Sequence, residues 1–295
     1  MRITSGHIVE LAAAATSRAQ QNVADATAVE SSGLKVAMPS DDPVAWVTAQ
    51  RERVRETLSA GNGTAMSFAT DQLDETDGAL SSIGDVVAQA RALAVQGSSD
   101  TYTAASRAEI GTQVQALFQS ALAAANTQSS NGEYLLGGSK SSAPPFDATG
   151  AYTGDSASRD ITVSEHATQT VTVPGSVLTA VNGVDVLPTL AALATALSTN
   201  NVAGIQAALG TLTSATTQVS SARAQTGAAL ATLSSADASR QQLEVTLATH
   251  VSNLVEADAI GAASTLAQAT QSLDVSRAVT SNVIQALQPP SSLPV

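Results

Sequence analysis

Two adjacent carboxylates, Asp41 and Asp42, stand in the stretch "SSGLKVAMPSDDPVAW" (residues 31–46). Carboxylate pairs serve acid–base catalysis and bind hard metal ions. Neighbouring side chains seldom converge on one centre, however, and no third or fourth ligand lies close by in the sequence. The same residue types also start helices. Asp42 is a good N-cap, Pro43 a good first helical residue, and Asp41 adds negative charge near the positive end of the helix dipole. With Gly33, Pro39 and Ser40 upstream, these residues read as a helix-start and hinge motif: Gly33, Pro39, Ser40, Asp41, Asp42 and Pro43. That mechanical reading is favoured over a metal site or an acid–base pair.

Other candidate chemistry is thin. His7, His166 and His250 have no paired spacing, and His250 falls beside the Leu243, Leu247 and Leu254 stripe, where it reads as a lone histidine in a packing seam. No H-E-x-x-H arrangement occurs, and the serines lack the G-x-S-x-G setting of a nucleophile elbow. "GSSDTYT" (97–103) lacks the Lys-Ser/Thr ending of a phosphate loop. With no cysteine there are no disulfides and no thiolate metal sites. No enzyme activity, metal or cofactor is expected.

The 295-residue chain is 43% hydrophobic, but that content is mostly Ala, Val and Leu, with only seven aromatic residues. A compact core draws much of its buried area from bulky aromatics, so this composition favours long helices packed side by side. A net charge of −12 lacks the electrostatic footprint of a nucleic-acid binder. The one basic cluster, Arg51, Arg53 and Arg55, is interleaved with Glu52 and Glu56 and reads as a solvated face or an ionic subunit contact. Neither a cleaved signal peptide nor an apolar run of ~18 residues is apparent. Neither nucleic acid nor membrane is an expected partner.

The elements follow from periodicity. Residues 1–30 form a weakly apolar helix with Ile8, Leu11, Ala15, Asn22, Ala26 and Val29 roughly on one stripe, which needs a partner helix. From about Pro43 to Gln96 a long helix follows, of roughly 75–80 Å at about 1.5 Å per residue. Gly61 and Gly63 predict a kink or interruption in its first third. Its clearest signal is a coiled-coil-like seam at 69, 73, 76, 80, 83, 87, 90 and 94. A shorter helix runs to about Ala125, after which Asn131-Gly132 marks a tight turn. Residues 141–200 read as a small separate module with short β runs at 159–164 and 168–173 and a short helix from Pro188, set apart from the stability centre. From about Val202 to Leu287 the chain is helical with almost no breaker, carried by Leu212, Ala215, Val219, Ala222, Leu230, Leu233, Leu243, Leu247 and Leu254, then by a phase-shifted stripe.

The fold class is therefore mainly α. A long antiparallel helical bundle or coiled coil is built from both chain ends, with a small β-rich inserted domain. The expected domains are 1–40 with 255–295, an inner terminal helical domain; 41–140 with 201–254, a helical rod; and 141–200, a β-rich outer domain. Leu11, Leu266, Leu273, Ile284 and Leu287 are candidates for packing between subunits, and equally for packing within one.

This plan and two stretches resemble the flagellin superfamily, and within it the branch at the hook–filament junction. One is "SSGLKVAMPSDDPVAW", where Pro39 and Pro43 bracket Ser40-Asp41-Asp42. The other is "LAAANTQSSNGEYLLGGSKSSAPPFDATGAYTGDSASRDITV" (122–163). The returning helices 221–236 and 254–287 are similar too. An alanine-rich first helix and a proline-rich tail, "QPPSSLPV", depart from the family's pattern. The resemblance implies a structural subunit of the bacterial flagellum joining hook to filament, needed for assembly and motility. A flagellin or flagellin-like cell-surface protein is the alternative. It further implies self-association in a tubular assembly, contact with the proximal hook-associated protein and flagellin, and handling by the flagellar type III export machinery and a chaperone. The implied location is the extracellular flagellum, reached without a cleaved signal peptide.

Overall fold

A computed structural model describes residues 5–164 and 167–287. His166 and the proline-rich tail lie outside those residues. Six helices run in the order α1 (Ser5–Ser32), α2 (Pro43–Gly97), α3 (Ala104–Ala125), α4 (Val186–Ser198), α5 (Val202–Val255) and α6 (Ala259–Leu287). Between α3 and α4 lies a two-stranded antiparallel hairpin, β1 (Asp160–Ser164) and β2 (Ala167–Thr170). Its register pairs Asp160 with Thr170 and Thr162 with Thr168, and an irregularity follows Thr162. The chain divides into two compact units, Met1–Thr57 with Glu244–Val295, and Leu58–Leu243.

In the first unit α1 packs antiparallel on α6. The faces turned inward are Val9, Ala12, Thr16, Ala19, Val23 and Ala26 on one helix and Ala262, Leu266, Ala269, Leu273, Ser276, Thr280 and Val283 on the other. Both advance in alternating steps of three and four, the 3.5-residue repeat of a coiled coil. Midway, the Thr16 hydroxyl lies 3.1 Å from that of Ser276 and 2.9 Å from that of Thr280. The inward stripe on α1 runs mostly one residue later than the sequence suggests. Ile8 and Leu11 are 40% and 57% exposed, Ala15 and Asn22 are exposed as well, while Ala26 and Val29 do turn inward. The alanine run at 12–15 gives little contrast between faces, so the phase is fixed by the partner helix.

In the second unit every residue of the predicted α2 seam, from Ala69 to Ala94, is buried. α2 runs through Gly61 and Gly63 without the interruption that is one of the two expectations there. At Gly63 the missing side chain makes room for Arg240 of α5: a Cβ there would stand 2.7 Å from the guanidinium carbon. The main core joins Leu80, Ile83 and Val87 of α2, Val114 and Phe118 of α3, Leu187, Leu190, Leu193 and Leu197 of α4, and Ile205, Leu212 and Val219 of α5. The expectation that 141–200 stands apart from the stability centre fails here. α4 starts at Val186, two residues before Pro188, and its leucines are fully buried. The hairpin is anchored as well, Val163 and Val171 packing with Met66, Leu73 and Leu233.

The predicted continuous helix from Val202 to Leu287 is in fact two. α5 ends at Val255, and Asp258 starts α6 by accepting from the N–H groups of Ile260 at 3.3 Å and Gly261 at 3.2 Å. This break explains the phase shift in the leucine stripe. Leu233 and Leu247 are buried and Leu230 and Leu254 half-buried, but Leu243 is 49% exposed. His250 is exposed rather than in a seam.

Candidate functional site

The helix-start motif forms a joint within the first unit. α1 ends at Gly33, whose φ of +68° is a left-handed conformation suited to glycine, and whose N–H donates to Val29 O at 2.8 Å. The chain then leaves the helix and pairs with the end of α5. Leu34 and Glu256 form an antiparallel bridge. Val255 O accepts from the N–H groups of Lys35 at 2.8 Å and Val36 at 3.2 Å, and Ala257 N–H donates to Gly33 O at 2.9 Å. Lys35 Nζ reaches Asn253 O at 2.6 Å. The last carbonyls of a helix have no partner inside it, so the loop satisfies acceptors that α5 leaves open. Beneath it, Val36, Ala45, Ala49 and Val255 are buried together, flanked by Leu34, Trp46, Val251 and Leu254.

The two carboxylates face different backbone segments. Asp42 Oδ1 accepts from the N–H groups of Val44 and Ala45, both at 3.0 Å, and Pro43, which has no N–H, opens α2. Asp41 serves the preceding loop instead: its Oδ2 accepts from Ala37 and Met38 N–H, each at 2.9 Å. Asp41 thus closes the loop ahead of α2, a role that the sequence reading does not include. Ser40 Oγ is 3.5 Å from Asp41 Oδ1, and Pro39 and Ser40 are exposed. Both carboxylates are spent on backbone donors, an arrangement that holds a bend and offers no convergent ligand set. Among the described residues no group of three or more His, Cys, Asp or Glu is placed to hold a metal ion.

The five proposed packing residues separate. Leu273 is buried and Leu266 half-buried against α1, whereas Leu11 and Ile284, at 57% and 45%, are exposed. Leu287 is the last residue of α6, and its side chain lies outside the described ones. Arg55 pairs with Glu52 at 3.5 Å on α2. Sequence reasoning missed Asp258 and Val255; the run Asp258-Ala259-Ile260 is itself a helix-start signal that could have located the break.

A second ordered knot lies in the other unit, over residues 126–157. Asn126 exchanges two hydrogen bonds with the backbone of Phe146, at 2.9 and 3.0 Å. The Tyr152 hydroxyl donates to Leu136 O at 3.1 Å and Asp155 O at 2.6 Å, and burial pushes its pKa up. The Asp155 carboxylate accepts from the Ser139 hydroxyl, from Ser139 N–H at 2.8 Å and from Ala157 N–H at 3.1 Å. The Ser139 hydroxyl and then its N–H hold that carboxyl below its ordinary value. Asp147 is lowered likewise, first by the Thr149 hydroxyl and then by the N–H groups of Ala151 and Thr149. Gly138 and Gly150 take φ of +67° and +84° where a side chain would strike Asp155 and Leu187. These contacts explain the Gly-, Ser- and Pro-rich wording of the stretch: it is a folded knot of turns.

Residues 5–141 match the bacterial flagellin N-terminal helical region, a span that includes α1, the motif loop, α2, α3 and the start of the knot. The flagellar hook-associated protein 3 of Salmonella typhimurium is 31% identical over 125 residues, covering 42% of this chain and 39% of that protein. The N-terminal part of the chain is thus similar to the flagellin superfamily. The aligned region thus spans about two fifths of the curated relative's length. Two solved structures share the fold of this chain. The Vibrio parahaemolyticus chain described as a flagellar hook-associated protein superposes with a TM-score of 0.68 at 19% identity, covering 73% of this chain and all of that one. The flagellar junction protein FlgL from Legionella pneumophila gives 0.56 at 17% identity, covering 71% and 100%. No helix among the described residues is long and apolar enough to cross a membrane.

Proposed function

We propose that this chain is a flagellin-superfamily member, a structural, non-enzymatic subunit that joins the flagellar hook to its filament and is needed for flagellum assembly and motility. The observation that carries the reading is the joint itself. A loop held by Gly33, Asp41 and Asp42 clamps the end of α5, within a chain similar to a flagellar hook-associated protein 3. The paired terminal helices form the inner tube of the assembly, the middle helices the rod, and residues 141–200 its outer face. Partners are further copies of this chain, the proximal hook-associated protein, flagellin, the type III export machinery and its chaperone. The site of action is the extracellular flagellum, reached without a cleaved signal peptide.

Deleting the gene tests this. Cells should make hooks without attached filaments and release flagellin into the medium, and plasmid-borne wild type should restore attachment. A deletion strain with normal attached filaments sinks the reading. The match to the flagellin N-terminal region also favours a second reading, a flagellin-like filament subunit. Purified protein that grows into long filaments unaided supports that alternative.

A further inference from the structure

The first unit carries two exposed surfaces of opposite character. One is a ridge on α2. Val44, Val47, Arg51 and Val54 recur at coiled-coil spacing, and the three valines are 76%, 47% and 59% exposed. They stand on a different face from Ala45 and Ala49, which are buried against the end of α5. The ridge therefore has the pattern of a helix seam, with no helix against it among the described residues. It is also basic: Arg51 and Arg55 are exposed there, Arg55 beside Glu52 at 3.5 Å, in a chain of net charge −12.

The other surface is a cleft of about 660 Å³ where the C-terminal part of α1 meets the N-terminal part of α6. Its floor is small and apolar, with Ala26, Val29, Ala262 and Ala269. Asp25 and Asp258 stand at the cleft. Lys35 also lines it, with its ammonium directed to Asn253 O. A floor of alanines leaves room for branched side chains from outside, and the carboxylates match the arginines of the ridge.

We propose that the α1–α6 cleft of one copy receives the α2 ridge, Val44, Val47, Arg51 and Val54, of a second copy. The match of a basic, branched ridge to an acidic, small-residue cleft selects this chain as its own partner. Because ridge and cleft are different patches, the contact is heterologous and propagates from copy to copy as a ring or open series, where a self-complementary patch would stop at a dimer. The inference rests on the self-association in the proposed function and assigns surfaces to it.

The absence of native cysteines makes the test clean. Full-length V47C and A262C are mixed at concentrations where the wild type sediments above monomer mass, then oxidised. A disulfide-linked heterodimer is expected, and none when V47C is mixed with S82C of the other unit. R51D should weaken self-association by about tenfold, and adding D25R to the same chain should restore it, with circular dichroism unchanged throughout. A wild type that stays monomeric overturns the pairing. So does a self-associating chain that gives no V47C–A262C cross-link and is indifferent to R51D. Filament attachment in the deletion strain decides the proposed function separately, so the two readings fail independently.

Discussion

Arg107 Nη1 donates to Asn200 Oδ1 across 2.6 Å, tying the start of α3 to the turn between α4 and α5. The same guanidinium donates through Nε to Gly97 O at 2.7 Å and through Nη2 to Ser99 O at 2.9 Å, so it also holds the end of α2. Arg107 is buried, and these three acceptors are neutral oxygens, two of them backbone carbonyls near the negative end of a helix dipole. Removing it leaves three acceptors unsatisfied. Arg107→Ala should therefore destabilise the chain by about 2–4 kcal/mol, read by denaturant unfolding. Arg107→Lys keeps the charge without the planar fork and should recover only part of that loss. A variant that unfolds with the wild type would show that the fork is not a fastener.

The joint at the end of α1 makes a graded prediction. Asp42→Ala removes an N-cap and should cost about 1 kcal/mol, while Asp42→Asn should cost less because its oxygen still accepts. Gly33→Ala meets no neighbour within 4 Å, so its penalty is the left-handed backbone alone, about 1 kcal/mol. Hydrogen exchange at Lys35 and Val36, whose N–H groups bind Val255 O, localises the effect. Unchanged protection of both amides in Gly33→Ala would contradict the clamp.

Two helical glycines should answer oppositely to the same substitution. Gly78 is exposed and a Cβ there meets nothing within 4 Å, so Gly78→Ala should stabilise by about 0.5–1 kcal/mol through helix propensity. At Gly111 a Cβ would lie 2.7 Å from Ser198 Oγ and 3.2 Å from both Ala194 O and Leu197 Cβ. That glycine lets α4 approach α3, and Gly111→Ala should destabilise by about 1–3 kcal/mol despite the same gain in propensity. Thermal unfolding of the pair reads the sign, and equal shifts would show that the approach does not need the glycine.

How far the sequence revealed this molecule depended on contrast. The α2 seam was legible because Leu73, Leu80, Ile83 and Val87 alternate with polar residues in a fixed phase. On α1 the alanines at 12–15 offer no such contrast, and the inward stripe lies mostly one residue later than periodicity places it. The break at Val255 was hidden because no glycine or proline marks it. Its cause is tertiary: the loop at 34–36 captures the helix end. The weight of α4 is not legible from the length of 141–200, because Leu187, Leu190, Leu193 and Leu197 join a core built mostly by other segments. At the joint, Asp42 was readable from local helix chemistry, whereas the role of Asp41 depends on a loop whose path the sequence does not specify.

The knot at 126–157 ties stability to acid. The Asp155 and Asp147 carboxyls are held below the ordinary aspartate value of 3.8, chiefly by the hydroxyls of Ser139 and Thr149 respectively. A carboxyl whose folded-state pKa is depressed stabilises the fold fully above its unfolded value, and that contribution disappears as pH falls through the lower folded value. The knot should therefore loosen below pH 3.8 and be insensitive to these two groups near neutrality. Asp147 is exposed and Asp155 partly so, so the effect is local and screened by salt. Ser139→Ala removes the largest cause at Asp155 and should raise its titration midpoint while leaving Asp147 unmoved; Thr149→Val should do the converse. Carboxyl-detected NMR titration of the two variants separates them, and midpoints that fail to move would mean that these hydroxyls do not set the acidity of their neighbours.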